Sequence, residues 1–600
     1  MCGICGKVNF RTPPGKEKLE KINQKLTHRG PDFGCVMEID SIATFGHRRL
    51  SIIDLSALAH QPMQDLSKVY TITYNGETYN FQEIKKELIQ YGYHFKSNSD
   101  TEVVLYAYIH WGVKCFEKFN GMFALAIWNS KEKELILAKD RFGKKPLYYT
   151  LLNDEITFAS ELTALMEDKE IKNKVTLSIS AINHYLALGY ILSPLTIYRE
   201  IYKLEPATYI KFKDGKTTEK TRYWEYKDYF LRLTKEKEKE IRENLDHLFD
   251  KSIRYRLISD VPVGAFLSGG LDSSGVVAFT KKYNKDSLHT FSIGFSYESY
   301  NEAPDAKLVS DYLKTIHHEK IFDKDLDKDI INKCISKYDE PFSDTSLIPM
   351  VEVSKLASTY LKVVLSGDGA DEIFAGYETY KADKIKKSFD ILPGQIRNGL
   401  ASLLNKLTGE TNKKVSFGFK LKQFSKGLPK DYHYAHYAWR ELHSESERIS
   451  IIGAEYKDEI ISSDPYLVFK KYYDEVPELD YISQHLYVDV KTWLSDDILV
   501  KIDRATMAYS LESRSPFLDK DLIEYAATIP SQYKIKNNGK YILKKMLEKY
   551  LPKETIYKKK SGFNAPVNNW LGNNKENEFK FFNKYVLKEK GVNYSISVIK

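Results

Sequence analysis

Met1-Cys2-Gly3-Ile4-Cys5-Gly6 opens the chain, and its reading decides the fold of the first half. Two cysteines three positions apart read as half of a metal site, as a redox pair, or, through Cys2 alone, as a nucleophile that loss of one methionine would expose. A structural zinc site needs a second pair of ligands, but Cys35 and Cys115 stand alone and His317 and His318 are adjacent. A thioredoxin-like pair would follow a strand and open a helix. The plain alternative is two small buried hydrophobes near a strand start. A freed α-amine, with an ordinary pKa of about 7.7–8.0, could serve as base for the neighbouring thiol.

A thiol-based amide hydrolase also needs an oxyanion hole and groups that hold the two charged ends of its substrate. His47-Arg48-Arg49, Tyr74-Asn75-Gly76-Glu77 and Ser99-Asp100-Thr101-Glu102 supply the residue types. Asn75 and Gly76 follow an alternating stretch, Val69 to Tyr74, which places an amide and a glycine N–H at a strand end as oxyanion donors. Arg49 could pair with a carboxylate and Asp100 with an ammonium. Together with Cys2, their order and spacing resemble the class-II glutamine amidotransferases. His28-Arg29-Gly30-Pro31-Asp32, Gly121-Met122-Phe123-Ala124 and Lys139-Asp140-Arg141-Phe142-Gly143 match the same family. The resemblance implies an N-terminal-nucleophile αββα sandwich in which Cys2 attacks the glutamine carboxamide. Asn75 and Gly76 would form the oxyanion hole, and Arg49, Asn75, Glu77 and Asp100 would hold glutamine. Cys5 would then be packing.

The remainder of the chain is ordinary in composition. Its 600 residues suit two or more cores. With 42% apolar and 29% charged residues it reads as globular. The formal charge of +8 is 90 basic against 82 acidic residues, interleaved rather than gathered in a stripe, so no nucleic-acid partner is expected. No apolar run approaches the ~18 residues of a membrane span, and Lys7 and Arg11 interrupt any signal-peptide core, so no membrane association is expected. Five scattered cysteines suit a reducing compartment, which makes a cytoplasmic location the expectation.

The second half has neither a Walker sequence nor a dinucleotide-binding glycine triplet. Instead Val261 to Leu267 reads as a short buried strand running into Ser268-Gly269-Gly270-Leu271-Asp272-Ser273-Ser274 and then a helix. Backbone N–H groups, serine hydroxyls and a helix N-terminus make an anion site. Asp272 inside such a loop calls for a bridging cation, Mg²⁺. His289 to Phe295 and Lys362 to Leu365 read as two more strands of one parallel sheet, the latter ending in Ser366-Gly367-Asp368-Gly369-Ala370-Asp371-Glu372. Loops at the carboxyl ends of parallel strands are where such sheets bind ligands.

Ser268 to Ser274 matches the pyrophosphate loop of the N-type ATP pyrophosphatases. Ser366 to Glu372, Asp503-Arg504-Ala505-Thr506-Met507, Leu511 to Asp519 and Lys560-Ser561-Gly562-Phe563 follow in the order found in the glutamine-dependent asparagine synthetases, which the chain resembles over nearly its whole length. The fold implied is a two-domain α/β and α+β protein: the αββα sandwich over 2–208, an α/β parallel-sheet ATP-pyrophosphatase domain with helical additions over 236–570, and a Lys-rich tail over 571–600. ATP contacts would come from Phe266, Ser268, Gly269, Gly270, Asp272, Ser273, Ile293, Ser366 and Gly367. Asp272 and Asp371 would hold Mg²⁺, Lys560 would stabilise phosphate charge, and Asp368, where the family often carries Glu, would be general base towards ammonia. The activity implied is ATP-dependent amidation of aspartate to asparagine, with ammonia from glutamine passing through an internal tunnel, in a homodimer. The acceptor stretch Tyr338 to Pro349 lacks the Arg that better-known members carry there. The runner-up is therefore a same-fold amidotransferase acting on another carboxylate, such as a cell-wall or surface-glycan precursor; a tRNA-modifying relative would lack the Cys2 constellation.

Overall fold

Gly3–Asn9 (β1) is a strand because it lies in the middle of a sheet, where its alternating side chains are covered on both faces. The computed structural model describes residues 1–284, 287–322, 328–407, 417–558, 565–572 and 577–592. β1 pairs antiparallel with β3 (Ala43–Arg49) and β9 (Glu155–Ala159). The sheet is completed by β2 (Phe33–Glu38), β8 (Tyr148–Leu152) and β10 (Tyr202–Lys203), in the order β10-β8-β9-β1-β3-β2. A second sheet runs β12-β11-β7-β6-β5-β4 and comprises β4 (Met63–Gln64), β5 (Tyr70–Thr78), β6 (Gly121–Asn129), β7 (Glu134–Lys139), β11 (Thr208–Lys213) and β12 (Lys216–Arg222). Ile4, Val8 and Phe45 of the first sheet pack with Ala124, Ala126 and Trp128 of the second to form the inter-sheet core. A helix at Lys16–Lys25 lies against the first sheet, and α1 (Asp100–Trp111) lies on the second. The result is an αββα sandwich. Because β11 and β12 are needed to finish its second sheet, the sandwich continues past residue 208 to Arg222.

The second half is built on a five-stranded parallel sheet of order β15-β14-β13-β16-β17. Its strands are β13 (Val263–Phe266), β14 (His289–Phe295), β15 (Ile316–Phe322), β16 (Val363–Leu365) and β17 (Glu512–Arg514). Apolar runs at β13 and β16 suit strands covered on both faces. α2 (Ile179–Leu188) leaves the sandwich towards this half; α3 (Leu271–Thr280) follows β13; the single turn α4 (Ala370–Phe374) follows β16; α5 (Leu499–Met507) precedes β17. Residues 578–589, within the expected tail, form a further helix, α6 (Glu578–Glu589), with Phe582, Val586 and Leu587 buried at helical spacing. Among the described residues no helix is long and apolar enough to cross a membrane.

The helical additions contain a buried polar cluster around His436. His436 sits between Asp383 (Nδ1 to Oδ2, 2.8 Å) and Asp489 (Nε2 to Oδ1, 3.1 Å), while Arg440 Nη2 donates to Asp489 Oδ2 at 2.7 Å. The His436 and His485 rings are stacked 4.2 Å apart at 9°, His485 Nε2 lies 3.4 Å from Asp383 Oδ1, and Arg440 Nη1 is 2.5 Å from His436 Nε2. Asp383, His436 and His485 bring ligand atoms within 4.8 Å of one another, with the Arg440 guanidinium already among them as the cation of the hydrogen-bond network.

Candidate active sites

The Cys2 backbone N–H donates to Asn75 Oδ1 at 2.9 Å, bringing the two residues together across the sandwich. Asn75 is fully buried, and its Nδ2 has no hydrogen-bond partner among the described residues. That leaves an amide donor beside the thiol, as an oxyanion hole requires. The Asn-Gly pair is not at a strand end: Asn75 and Gly76 lie inside β5, paired with Ala124 and Phe123 of β6. Gly76 is required by this pairing, since a Cβ there would lie 2.1 Å from Met122 O. Burial pushes the Cys2 thiol above its usual pKa, against a lowering by the nearby chain-terminal ammonium.

Arg49 is buried and turns its guanidinium onto loop carbonyls, Ser56 O at 2.9 Å, Ile53 O at 3.3 Å and Asp54 O. Asp100 heads α1 and accepts the Thr78 N–H at 2.8 Å. Burial raises its carboxyl to about 6. Glu77 Oε2 is buried without a hydrogen-bond partner among the described residues, and burial together with the charges of Glu512 and Asp100 raises its carboxyl well above the usual range. The Met1 ammonium, 2.9 Å from Glu512 Oε2, shares this acidic pocket with the Arg514 guanidinium, which lies 2.6 Å from Glu512 Oε1 and 3.6 Å from Glu77 Oε1, and the Met1 side chain is buried against Tyr79, Met122 and Met507. Cys5 is fully buried, with its thiol 3.8 Å from Asn23 Oδ1.

The ATP candidates converge as well. Phe266, Ser268, Gly269, Gly270, Asp272, Ser273, Ile293, Ser366, Gly367, Asp368 and Asp371 all line one cavity of about 1410 Å³. It opens at the carboxyl ends of β13, β14 and β16, where a doubly covered parallel sheet leaves its binding crevice. Gly269 has φ 73°, and a Cβ would sit 2.5 Å from Asp305, so the Ser268 to Ser273 turn demands glycine here. Ser268 and Ser273 hydroxyls meet at 3.1 Å at the mouth of α3. Asp368 Oδ2 is buried with no hydrogen-bond partner among the described residues. Lys560 lies outside the described residues.

Several participants were given no role by the sequence. Lys540 places its ammonium 2.5 Å from Asp272 Oδ2 and 2.6 Å from Asp371 Oδ1, and these carboxylates hold it charged despite burial. The only available signal was its place after Asn537-Asn538-Gly539. At the other end of the cavity, Lys501 Nζ bonds Asp344 Oδ2 at 2.6 Å. Beside it Asp497 is buried with neither carboxylate oxygen partnered among the described residues, and burial and the Asp344 charge raise its carboxyl well above normal. Between the two sites, Arg29 forks onto Asp503 (3.0 and 3.1 Å), reaches Glu161 at 2.8 Å and donates to the Cys2 carbonyl at 3.2 Å. Lys144 of the sandwich donates to Ser515 Oγ at 2.6 Å, which lies 3.0 Å from Ser366 Oγ in the nucleotide loop.

Comparison with known proteins agrees with this division. A family model described as a glutamine amidotransferase domain matches residues 1–224, and one described as asparagine synthase matches residues 244–588. The chain belongs to the asparagine synthase family. It is similar to "Asparagine synthetase [glutamine-hydrolyzing] 1" of Bacillus subtilis, 35% identical over 96% of this chain and 88% of that protein. A "Putative asparagine synthetase [glutamine-hydrolyzing] 2" of Methanocaldococcus jannaschii is 41% identical over 64% of this chain and 78% of its own. An amidase of Gibberella zeae is 27% identical over 95% of this chain and 90% of its own. As a member of the asparagine synthase family the protein is a glutamine-hydrolysing ligase that takes ATP as substrate.

Proposed function

We propose that this family member converts aspartate to asparagine, using glutamine as nitrogen donor and releasing AMP, pyrophosphate and glutamate. The observation that carries the reading is the single cavity in which the described nucleotide, metal and ammonia-base candidates meet, in a chain whose sandwich holds a buried Cys2–Asn75 pair and reaches the Ser366 loop through Lys144 and Ser515.

Removal of Met1 frees the Cys2 amine and, because the Met1 ammonium is paired with Glu512 and close enough to Glu77 to act on its charge, clears the acidic pocket for glutamine. The amine takes the thiol proton. The thiolate attacks the carboxamide carbon while Asn75 Nδ2 and the Gly76 N–H receive the developing negative charge. The Cys2 ammonium returns that proton to the amide nitrogen, which leaves as ammonia, and water hydrolyses the thioester to glutamate and the free thiol. Glu77 and Asp100 hold the glutamine ammonium, and Arg49, braced by the 53–56 loop, faces the carboxylate end.

In the cavity, the β-carboxylate of aspartate attacks the α-phosphorus of ATP, expelling pyrophosphate, and ammonia then displaces AMP from the acyl-adenylate. Phe266, the serine-glycine loop, Ile293, Ser366 and Gly367 cradle the nucleotide. Asp497 is suited to the α-ammonium of aspartate and Lys501 to its α-carboxylate, which supplies the cation missing from the 338–346 loop. Asp368, with an unpartnered buried oxygen, takes a proton from the attacking ammonia; Lys560 keeps its proposed role on the phosphates, alongside Lys540. Asp272 and Asp371 fit Mg²⁺, since both already converge on one cation position. The ion would neutralise charge on the departing pyrophosphate. The assembly is taken as a homodimer and the location as cytoplasmic.

The test is a mass-spectrometric product assay with glutamine, ATP, Mg²⁺ and aspartate. Asparagine, AMP and glutamate in equal amounts are expected; glutamate without asparagine would remove aspartate as the acceptor. A second expectation concerns pH. Asp100 must be ionised to hold an ammonium, and burial raises its carboxyl to about 6. The glutamine KM, measured by glutamate release, should therefore climb as pH falls through that value. A KM that stays flat down to about pH 5 would remove Asp100 from the ammonium site.

A further inference from the structure

Asn583 of α6 is fully buried, although its helix comes from a stretch rich in lysine. Both of its amide hydrogens are committed: Nδ2 donates to Tyr185 O of α2 at 3.0 Å and to Ser343 Oγ at 3.1 Å. In return the Tyr185 hydroxyl donates to the Asn583 carbonyl at 2.7 Å. Ser343 is fixed from the opposite side, its N–H donating to Gly189 O at 2.9 Å. Gly189 caps α2 with φ 88°, and a Cβ there would lie 2.8 Å from Ser343 Oγ. One residue further on, Asp344 accepts the Ser346 N–H at 2.8 Å and the Lys501 ammonium at 2.6 Å. The same helix region reaches the start of the loop, where Lys590 Nζ donates to Tyr338 O. Ser343, Asp344, Thr345, Ser346 and Lys501 all line the cavity.

We propose that Asn583 is a positioning residue for the acceptor end of the synthetase site. Through it the C-terminal helix clamps the 343–346 loop against the C-terminus of α2, and so sets where Asp344 holds Lys501. The inference rests on the reading above that this end of the cavity takes the acceptor carboxylate. A short amide is suited to the role because its two donors meet two acceptors from different elements at once. Losing the clamp should leave the nucleotide loops and the Cys2 site untouched, since neither contacts α6 through these bonds.

The test is steady-state kinetics of the full chain with ammonium as nitrogen donor and ATP saturating. Wild-type protein is assayed first: no asparagine from aspartate would overturn the reading of the function itself. With wild type active, Asn583→Ala is expected to raise the aspartate KM about tenfold, with the ATP KM and glutamine hydrolysis unchanged. If the alanine variant does not accumulate as folded protein, Tyr185→Phe removes only the hydroxyl bond to the Asn583 backbone and should raise the same KM about threefold. An unchanged aspartate KM in a folded variant, or a loss of all activities in step with Tm, would overturn the proposal.

Discussion

Cys2→Ala is expected to lower glutamine-dependent asparagine formation by about 10⁴-fold, the scale of losing a covalent nucleophile, and to leave ammonium-dependent formation within about twofold. The asymmetry follows from which atoms the substitution removes. The bond that seats residue 2 is made by its backbone N–H to Asn75 Oδ1, and its carbonyl is held by Arg29 Nε. Alanine keeps both, so the bridge from Arg29 to Asp503 of α5 is retained. What goes is one sulfur atom in a buried site, a change of about 1 kcal/mol in packing. The cavity that receives ATP contains no atom of Cys2. Paired assays with glutamine and with ammonium chloride check this. Loss of both activities would show that the two sites are not separable chemically, and retention of glutamine use would remove Cys2 as nucleophile.

How much of this could be read in the sequence depends on how far apart the partners lie. The Ser268 to Ser273 loop was legible because strand, glycine turn and helix are consecutive, and β13 and α3 occupy those positions. The nucleophile was harder. CxxC spacing misleads, and only the accompanying Asn75, Glu77 and Asp100 favoured Cys2. Asn-Gly suggested a strand end because the pair is common in tight turns, but tertiary pairing with β6 keeps β5 going through Thr78. Arg29 and Asp503 are 474 positions apart, and Lys540 and Asp272 are 268 apart. Arg29, Asp503 and Asp272 stand in segments that match the family, but nothing local says which residue pairs with which, and Lys540 stands outside those segments. Glu512 and Arg514 were noticed as motif residues, yet their reach into the glutamine pocket depends on β17 joining the sheet beside β16. Lysines obscured α6, although Phe582 and Val586 carry a helical stripe.

Asp272→Ala should remove pyrophosphate release with either nitrogen donor, by about 10²–10⁴-fold, the equivalent of several kcal/mol of lost charge stabilisation, while glutamine hydrolysis without aspartate continues. Asp272 lies in the turn between β13 and α3 and shares Lys540 with Asp371, which follows β16. Two carboxylates share one ammonium, which leaves one formal negative charge uncompensated. On the proposed assignment the two carboxylates would hold the ion, and Lys540 would then be released towards the phosphates. Deleting Asp272 takes away one metal ligand and also leaves Lys540 paired with Asp371 alone, so the remaining carboxylate is the more firmly occupied by lysine. The defect should therefore be only partly overcome by raising Mg²⁺. Asp272→Asn tests charge apart from shape: it keeps the side-chain volume and should lose nearly as much activity as alanine. Glutaminase activity in the same samples reports that the protein is folded. Unchanged pyrophosphate release in either variant would sink the metal assignment, and full recovery at high Mg²⁺ would show that Lys540 does not compete for Asp371.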